Sequence, residues 1–188
     1  IPGEGPVLVM NARGADDLSM LPSPRLRIVQ GFRPDHDALA ARGFHVAPTL
    51  PDTPCSAALV CLPRARRAAQ AMIAAASQAV KAGGPVAVDG QKTDGVEALM
   101  RELGARAAVS EPVVKAHGKL FTFAAGANLA DWGARDGRVE GGFVTVPGVF
   151  SADGPDRGSM LLAAALPAAM PGRGVDLGAG WGYLSAAA

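Results

Sequence analysis

The chain has 188 residues, 49% of them hydrophobic and 19% charged, and a formal net charge of +1. That length suits about one domain plus a further piece, or one large domain, and the apolar share makes a folded soluble protein the default. The near-neutral balance excludes a basic field over the whole molecule, so contact with nucleic acid would have to come from local patches.

Val7-Leu8-Val9-Met10 is a short apolar run closed by Asn11 and Gly14, as a buried parallel strand would be. Leu26 to Val29 and Phe44 to Val46 are further strand candidates, with a helix from Asp37 to Arg42 between them and Gly43 as its stop. Ala57 to Leu62 is another buried strand, halted by Pro63. Arg64 to Ala82 then predicts an alanine-rich helix with Met72, Ile73, Ala76 and Val80 on one face, ended by Gly83-Gly84. Pro85 to Gly90 is the next strand. Asp94 to Leu103 predicts a helix opened by an Asp cap with Glu97 three residues on, and Gln91 to Gly95 before it follows a strand end, where open α/β sheets place ligands, with a plain loop and helix cap as the favoured account. Arg106 to Val109 and Leu120 to Ala124 predict a hairpin-like end to the sheet. Gly126 to Gly142, rich in Gly, Asp and Arg, is the expected linker, with the domain boundary near Gly141.

Other features narrow the class. The start, Ile1-Pro2-Gly3-Glu4, lacks a basic and an apolar region, and the longest apolar run, Met160 to Met170, is broken by Pro167, so no membrane partner is expected. Cys55 and Cys61 are too few and too unpatterned for a disulfide framework or a metal site, and are expected as buried small hydrophobes in a reduced cytoplasm. His36, His45 and His117 are too scattered to hold a metal. The chain begins without methionine and stops at Ala186-Ala187-Ala188 inside an expected helix, and is taken as a piece of a longer protein.

The most informative stretch is Val175-Asp176-Leu177-Gly178-Ala179-Gly180-Trp181-Gly182-Tyr183. An acid ends an expected apolar strand and three glycines follow at alternate positions. A strand that runs through glycines into a helix lets backbone approach a ligand closely, which suits an adenosine-containing cofactor. A dinucleotide fingerprint wants its third glycine one residue later, where Tyr183 stands, so a nicotinamide-dependent oxidoreductase is disfavoured.

Asp-x-Gly-x-Gly-x-Gly after a strand resembles motif I of class I S-adenosylmethionine-dependent methyltransferases. Upstream, Pro147-Gly148-Val149-Phe150-Ser151 with Asp153-Gly154, Asp156, Gly158-Ser159 and Leu161-Leu162 resembles the ribosomal RNA small-subunit methyltransferase C family. The resemblance implies a Rossmann-like class I methyltransferase fold in two copies: residues 1–141 as a degenerate N-terminal copy without a cofactor site, and residues 142–188 as the incomplete start of the catalytic copy. It implies S-adenosylmethionine as cofactor, ribosomal RNA or the small ribosomal subunit as partner, and methyl transfer to guanine N2 in 16S ribosomal RNA. It assigns the cofactor to Asp176, Gly178, Gly180 and Gly182. Phe150 is placed either near the cofactor or as a hydrophobic anchor, and Ser159 either near it or as an ordinary N-cap of a helix through Leu166. Trp181 and Tyr183 are expected to pack the loop.

The family's Asn-Pro-Pro-aromatic tetrad is absent, since the two asparagines, Asn11 and Asn128, precede no proline, so no catalytic residue is named in this stretch and the chain alone is expected to be inactive. In the first copy Asn11-Ala12-Arg13-Gly14 stands in place of the glycine loop, and Pro63 is what survives of the tetrad. Arg64, Arg66 and Arg67, and Lys115 and Lys119 beside His117, are the candidate RNA contacts; a solvated charged face is the alternative for each. The competing function is a noncatalytic RNA- or protein-binding module with a vestigial glycine loop.

Overall fold

A computed structural model describes residues 3–134, 136–139, 141–167 and 172–188. The chain forms two compact units, Ile1–Gly133 and Ala134–Ala188.

The larger unit is built on a seven-stranded sheet. Its strands are β1 (Val7–Met10), β2 (Leu26–Val29), β3 (Val46–Ala47), β4 (Ala57–Cys61), β5 (Pro85–Gln91), β6 (Val113–Lys115) and β7 (Gly118–Ala124). They lie in the order β3-β2-β1-β4-β5-β7-β6. The first five run parallel; β7 is antiparallel to β5 and to β6. Helix α1 (Arg33–Ala41) connects β2 to β3, α2 (Arg66–Ala79) connects β4 to β5, and α3 (Val96–Gly104) follows β5. This is the expected α/β class with a reversed closing hairpin.

Alternation along the strands decides which helix covers which face. Leu8, Met10, Val60, Val86 and Val88 pack with Ile73 of α2, Leu99 and Leu103 of α3, and Phe121. Val7 and Val9 point the other way, onto Ile28 and Leu39 of α1. Helix α2 packs closely because Ala69, Ala74 and Ala76 are small and fully buried. The chain then turns sharply: a Cβ on Gly84 would lie 2.9 Å from both Lys81 O and Ser56 O, so this position admits glycine alone.

Several boundaries differ from expectation. Helix α1 starts at Arg33, not Asp37, because Pro34 falls in its first turn, where no N–H is needed. Helix α2 is shorter at both ends than Arg64 to Ala82. The third strand falls on Val46–Ala47 instead of Phe44 to Val46. Asp94 does not cap α3. It closes a 3-10 turn by accepting from Gln91 N at 3.1 Å, Gly95 at φ 78° precedes the helix, and Glu97 turns to Lys119 Nζ at 3.0 Å. The strand expected over Arg106 to Val109 reduces to one bridge, Val109 to Phe123. The outer strand is instead β6, joined to β7 by Ala116 and His117 at φ 47° and 63°. The expected linker also contributes to the core: Leu129 and Trp132 are buried, and the Arg106 guanidinium bonds Asp131 at 2.7 and 2.8 Å while lying 5.2 Å from the Trp132 ring centroid. The two units part between Gly133 and Ala134, ahead of the boundary expected near Gly141.

The smaller unit has a short antiparallel pair, β8 (Gly137–Arg138) and β9 (Val144–Thr145), and two helices, α4 (Arg157–Ala165) and α5 (Tyr183–Ala187). Asp156, not Ser159, is the N-cap of α4: its carboxylate accepts from Gly158 N at 2.9 Å, Ser159 N at 3.2 Å and Ser159 Oγ at 2.5 Å. No strand forms at Val175-Asp176-Leu177; Val175 and Leu177 are 85% and 90% exposed. A parallel strand exists only through its neighbours, and none pairs with this segment among the described residues.

Two outcomes follow from this packing. Ile73→Ala should lower stability by about 2–5 kcal/mol, read as a fall in the urea midpoint at unchanged m, because a fully buried side chain is lost from a sheet-covering helix. The Ser159 hydroxyl, then the Ser159 and Gly158 amides, hold the Asp156 carboxyl below its ordinary 3.8. A lowered folded value means that this cap contributes fully above pH 3.8 and is lost as pH falls through the lowered value. Backbone chemical shifts of residues 157–161 should therefore move toward coil in that acid range, and at pH 7 in Asp156→Ala.

Candidate functional site

The glycine loop has a conformation that its sequence requires. Gly178, Gly180 and Gly182 sit at φ 80°, 58° and 92°, with Ala179 and Trp181 between them outside the positive-φ set. A Cβ on Gly178 or Gly182 would meet nothing within 4 Å, and one on Gly180 only Gly178 O at that limit. These glycines are needed for backbone sign, not for space. Alternation of φ along a short segment curls successive peptides around one side and leaves a concave backbone surface, the form in which loops hold polar ligand groups.

That surface adjoins a cavity of about 170 Å³ inside the smaller unit. Phe150, Ser159, Asp176, Gly178 and Gly180 all line it. Five of the six residues singled out for a cofactor are thus brought together, while Gly182 is outside the lining and serves as the N-cap of α5. Asp176 accepts from Ser185 Oγ at 2.7 Å. Phe150 is 73% exposed and is no hydrophobic anchor. Pockets that enclose a small ligand run to about 300–1,000 Å³, so this cavity of about 170 Å³ is too small to enclose one by itself. The lining carries two carboxylates, hydroxyls, bare glycine backbone and aromatic surface. This donor set fits one end of a nucleoside carrying an amino-acid tail and offers no cation for a phosphate.

Asp156 also lines the cavity, a site residue that the motif reading does not single out. Its signal is present in the sequence, because an acid three residues before Ser159 at the head of an apolar run is a cap pattern. Trp181 lines the cavity too, with its ring 4.9 Å from Phe143 and 5.6 Å from Tyr183, so the aromatic pair does pack the loop.

The larger unit has its own cavity, of about 340 Å³, at the carboxyl ends of β1, β4 and β5. This is the switch point of the sheet, where the chain moves from one side of β1 to the other, and where open α/β sheets take ligands. Here the loop after β1 presents side chains. Asn11, at φ 63°, donates Nδ2 to Cys61 O at 2.9 Å and spans the gap between β1 and β4. Asp16, Asp17, Asp89 and Asp94 line the space against one cation, Arg13. Burial, then the charges of Asp16 and Asp94, pushes the Asp89 carboxyl up, and burial pushes the Cys61 thiol up to about 12.

The candidate RNA cations differ in availability. Arg66 pairs with Glu102 at 2.7 Å and Lys119 with Glu97 at 3.0 Å. Arg64, Arg67 and Lys115 are exposed and form no ion pair among the described residues. Among those residues no three His, Cys, Asp or Glu side chains are placed to hold a metal ion, and no helix is long and apolar enough to cross a membrane. Cys55 and Cys61 are both free, Cys55 buried and Cys61 partly so.

Residues 140–188 match the family model of the methyltransferase small domain. No curated protein matches the sequence. Among solved structures, the 16S rRNA N2 methyltransferase RsmC of T. thermophilus, in complex with AdoMet and guanosine, matches with a TM-score of 0.69 at 21% identity, over 88% of this chain and 49% of that one. This chain therefore spans about half the length of that protein. A chain of the complex between the Trm112 methyltransferase activator of Haloferax volcanii and a proposed methyltransferase matches with a TM-score of 0.50 at 12% identity, over 66% of this chain and 84% of that one. At these identities the likeness concerns architecture: the chain has the Rossmann-like fold of class I methyltransferases, and its last 49 residues match a methyltransferase small domain.

Proposed function

We propose that this chain belongs to an S-adenosylmethionine-dependent methyltransferase that modifies guanine N2 in 16S ribosomal RNA, with residues 142–188 contributing one part of the cofactor site. The observation that carries this is the glycine loop of alternating φ beside a cavity that also gathers Phe150, Ser159 and Asp176. Support comes from the small-domain match over residues 140–188 and from the RsmC likeness. S-adenosylmethionine would supply an electrophilic methyl group on a sulfonium. Asp176 would hold its methionine end, while Gly178 and Gly180 would let its adenosyl part lie against bare backbone.

The larger unit is proposed as a degenerate copy without a cofactor site, structural or RNA-orienting in role. Side chains occupy the place of the glycine loop, with Asn11 spanning from β1 to Cys61 O where bare backbone would meet a cofactor. Arg64, Arg67 and Lys115 are proposed as the RNA contacts because they are exposed and form no ion pair among the described residues; Arg66 and Lys119 would first have to leave their partners. The two free thiols accord with a reducing, cytoplasmic setting. No Asn-Pro-Pro-aromatic tetrad lies in the sequence, so the residues present bind and orient, and the chain by itself is expected to transfer no methyl group. That same absence favours the second reading, a noncatalytic binding module with a vestigial loop.

Calorimetric titration of the intact protein with S-adenosylmethionine separates the two. Saturable binding that is abolished in Gly180→Leu, with thermal unfolding of the larger unit unchanged, is the expected result, since a leucine at φ 58° both strains the loop and fills the concave side. No binding by the wild type, with RNA affinity retained, would favour the module. For RNA, the double substitution Arg64→Ala with Arg67→Ala should flatten the dependence of log affinity on log salt by about one for each phosphate that is no longer neutralised, while catalysis on saturating substrate is unaffected.

A further inference from the structure

Trp181 stands between Gly180 and Gly182, at φ 58° and 92°. A residue flanked by glycines has the widest backbone freedom a chain can offer, so the loop needs an external anchor to hold one shape. The indole supplies it. Its Nε1 donates to Ser151 O at 3.1 Å, thirty residues away, and the ring is flanked by Phe143 and Tyr183. The receiving turn is held from its other side, because the buried Thr145 donates Oγ1 to Ala152 O at 2.7 Å. Ser151 itself sits at φ 52°, a left-handed conformation that a residue with a Cβ keeps only under outside constraint. Phe150 and Ser151 line the same cavity as Gly178 and Gly180.

We propose that Trp181 is a positioning residue for the cofactor: it fastens the glycine loop to the Val146–Gly154 turn, so that both walls of the cavity are set before a ligand arrives. The inference rests on the loop being an S-adenosylmethionine site. Preformed walls raise affinity by removing the ordering cost from the binding step.

Trp181→Phe keeps an aromatic ring and removes the donor. In the intact protein its S-adenosylmethionine affinity, by calorimetry, should fall roughly fivefold to tenfold, the loss of one hydrogen bond's ordering. Two ligand-free readouts accompany it. The Gly182 amide, bonded to Ala179 O at 2.9 Å, should exchange faster in the variant. Trp132, buried in the larger unit, is the other tryptophan of this chain, and its emission should be unchanged. Phe143→Leu, which keeps the indole donor but removes its edge contact, should weaken binding less and shift Trp181 emission. Equal affinity and equal Gly182 exchange in Trp181→Phe would overturn the proposal. Should that variant fail to fold, unchanged affinity and emission in Phe143→Leu would overturn it instead. A wild-type protein that binds no S-adenosylmethionine would overturn the assignment of the loop, and this inference with it; a wild type that binds, with variants that bind equally, would overturn the anchor alone.

Discussion

Strand β1 has no free edge and no free face. Val7–Met10 pairs with Leu26–Val29 on one side and Ala57–Val60 on the other, and its side chains are 6% exposed or less. Parallel neighbours can be reached only through crossovers, so this one strand obliges the chain to leave on each side and return over a face. Helix α1 covers the face of Val7 and Val9, and α2 and α3 cover that of Leu8 and Met10. The position where β1 ends is therefore fixed as the crevice of the sheet, whatever residues stand there. Function in such a fold is decided by the loop that β1 delivers to that crevice.

The two units carry two different loops. In the larger one Asn11 crosses to Cys61 O, and four carboxylates face the opening, so the place where backbone would cradle a ligand is taken up by side chains and negative charge. In the smaller one glycines leave the backbone bare, and bare backbone is disordered unless something else orders it. The order is borrowed: Trp181 reaches Ser151, Thr145 reaches Ala152, and Asp156 ties Gly158 and Ser159 into the start of α4. The fastenings are themselves part of the cavity wall, since Ser151, Asp156, Ser159 and Trp181 all border it.

What is legible in the sequence depends on how far each signal relies on distant residues. Val7 to Met10 and Ala57 to Leu62 read as buried strands from their own unbroken apolar runs, the second ending at Cys61 in the fold, and Ile73 and Ala76 read as one helix face from their spacing. The closing hairpin is expected, with Leu120 to Ala124 as its inner strand, but its outer strand and turn escape the reading because a two-residue turn usually announces itself with Asn-Gly, whereas here Ala116-His117 takes the left-handed positions. Gly95, not Asp94, precedes α3, since Asp94 is engaged with Gln91 N in the preceding turn. Leu129 and Trp132 are apolar signals inside a polar stretch, and they belong to the core. In the site, glycine spacing, Asp176, Phe150 and Ser159 are visible because motif chemistry is local. The indole bond to Ser151 is not, because it joins residues thirty apart. A strand at Val175 to Leu177 follows from its own residues but needs partners that the described residues do not provide.

Charge placement adds a constraint on any RNA partner of the larger unit. The acids sit inside the crevice and the exposed cations at its margin: Arg64 lies two residues past Leu62, which lines the cavity, and Lys115 pairs with Gly118 opposite Gln91, which also lines it. A phosphate backbone is attracted to the margin and repelled from Asp16 and Asp17 within. Burial, then the charges of Asp16 and Asp94, pushes the Asp89 carboxyl up within that crevice. Contact would thus be made over the rim, by Coulombic attraction between exposed groups that salt screens, and would orient a strand without reading its bases.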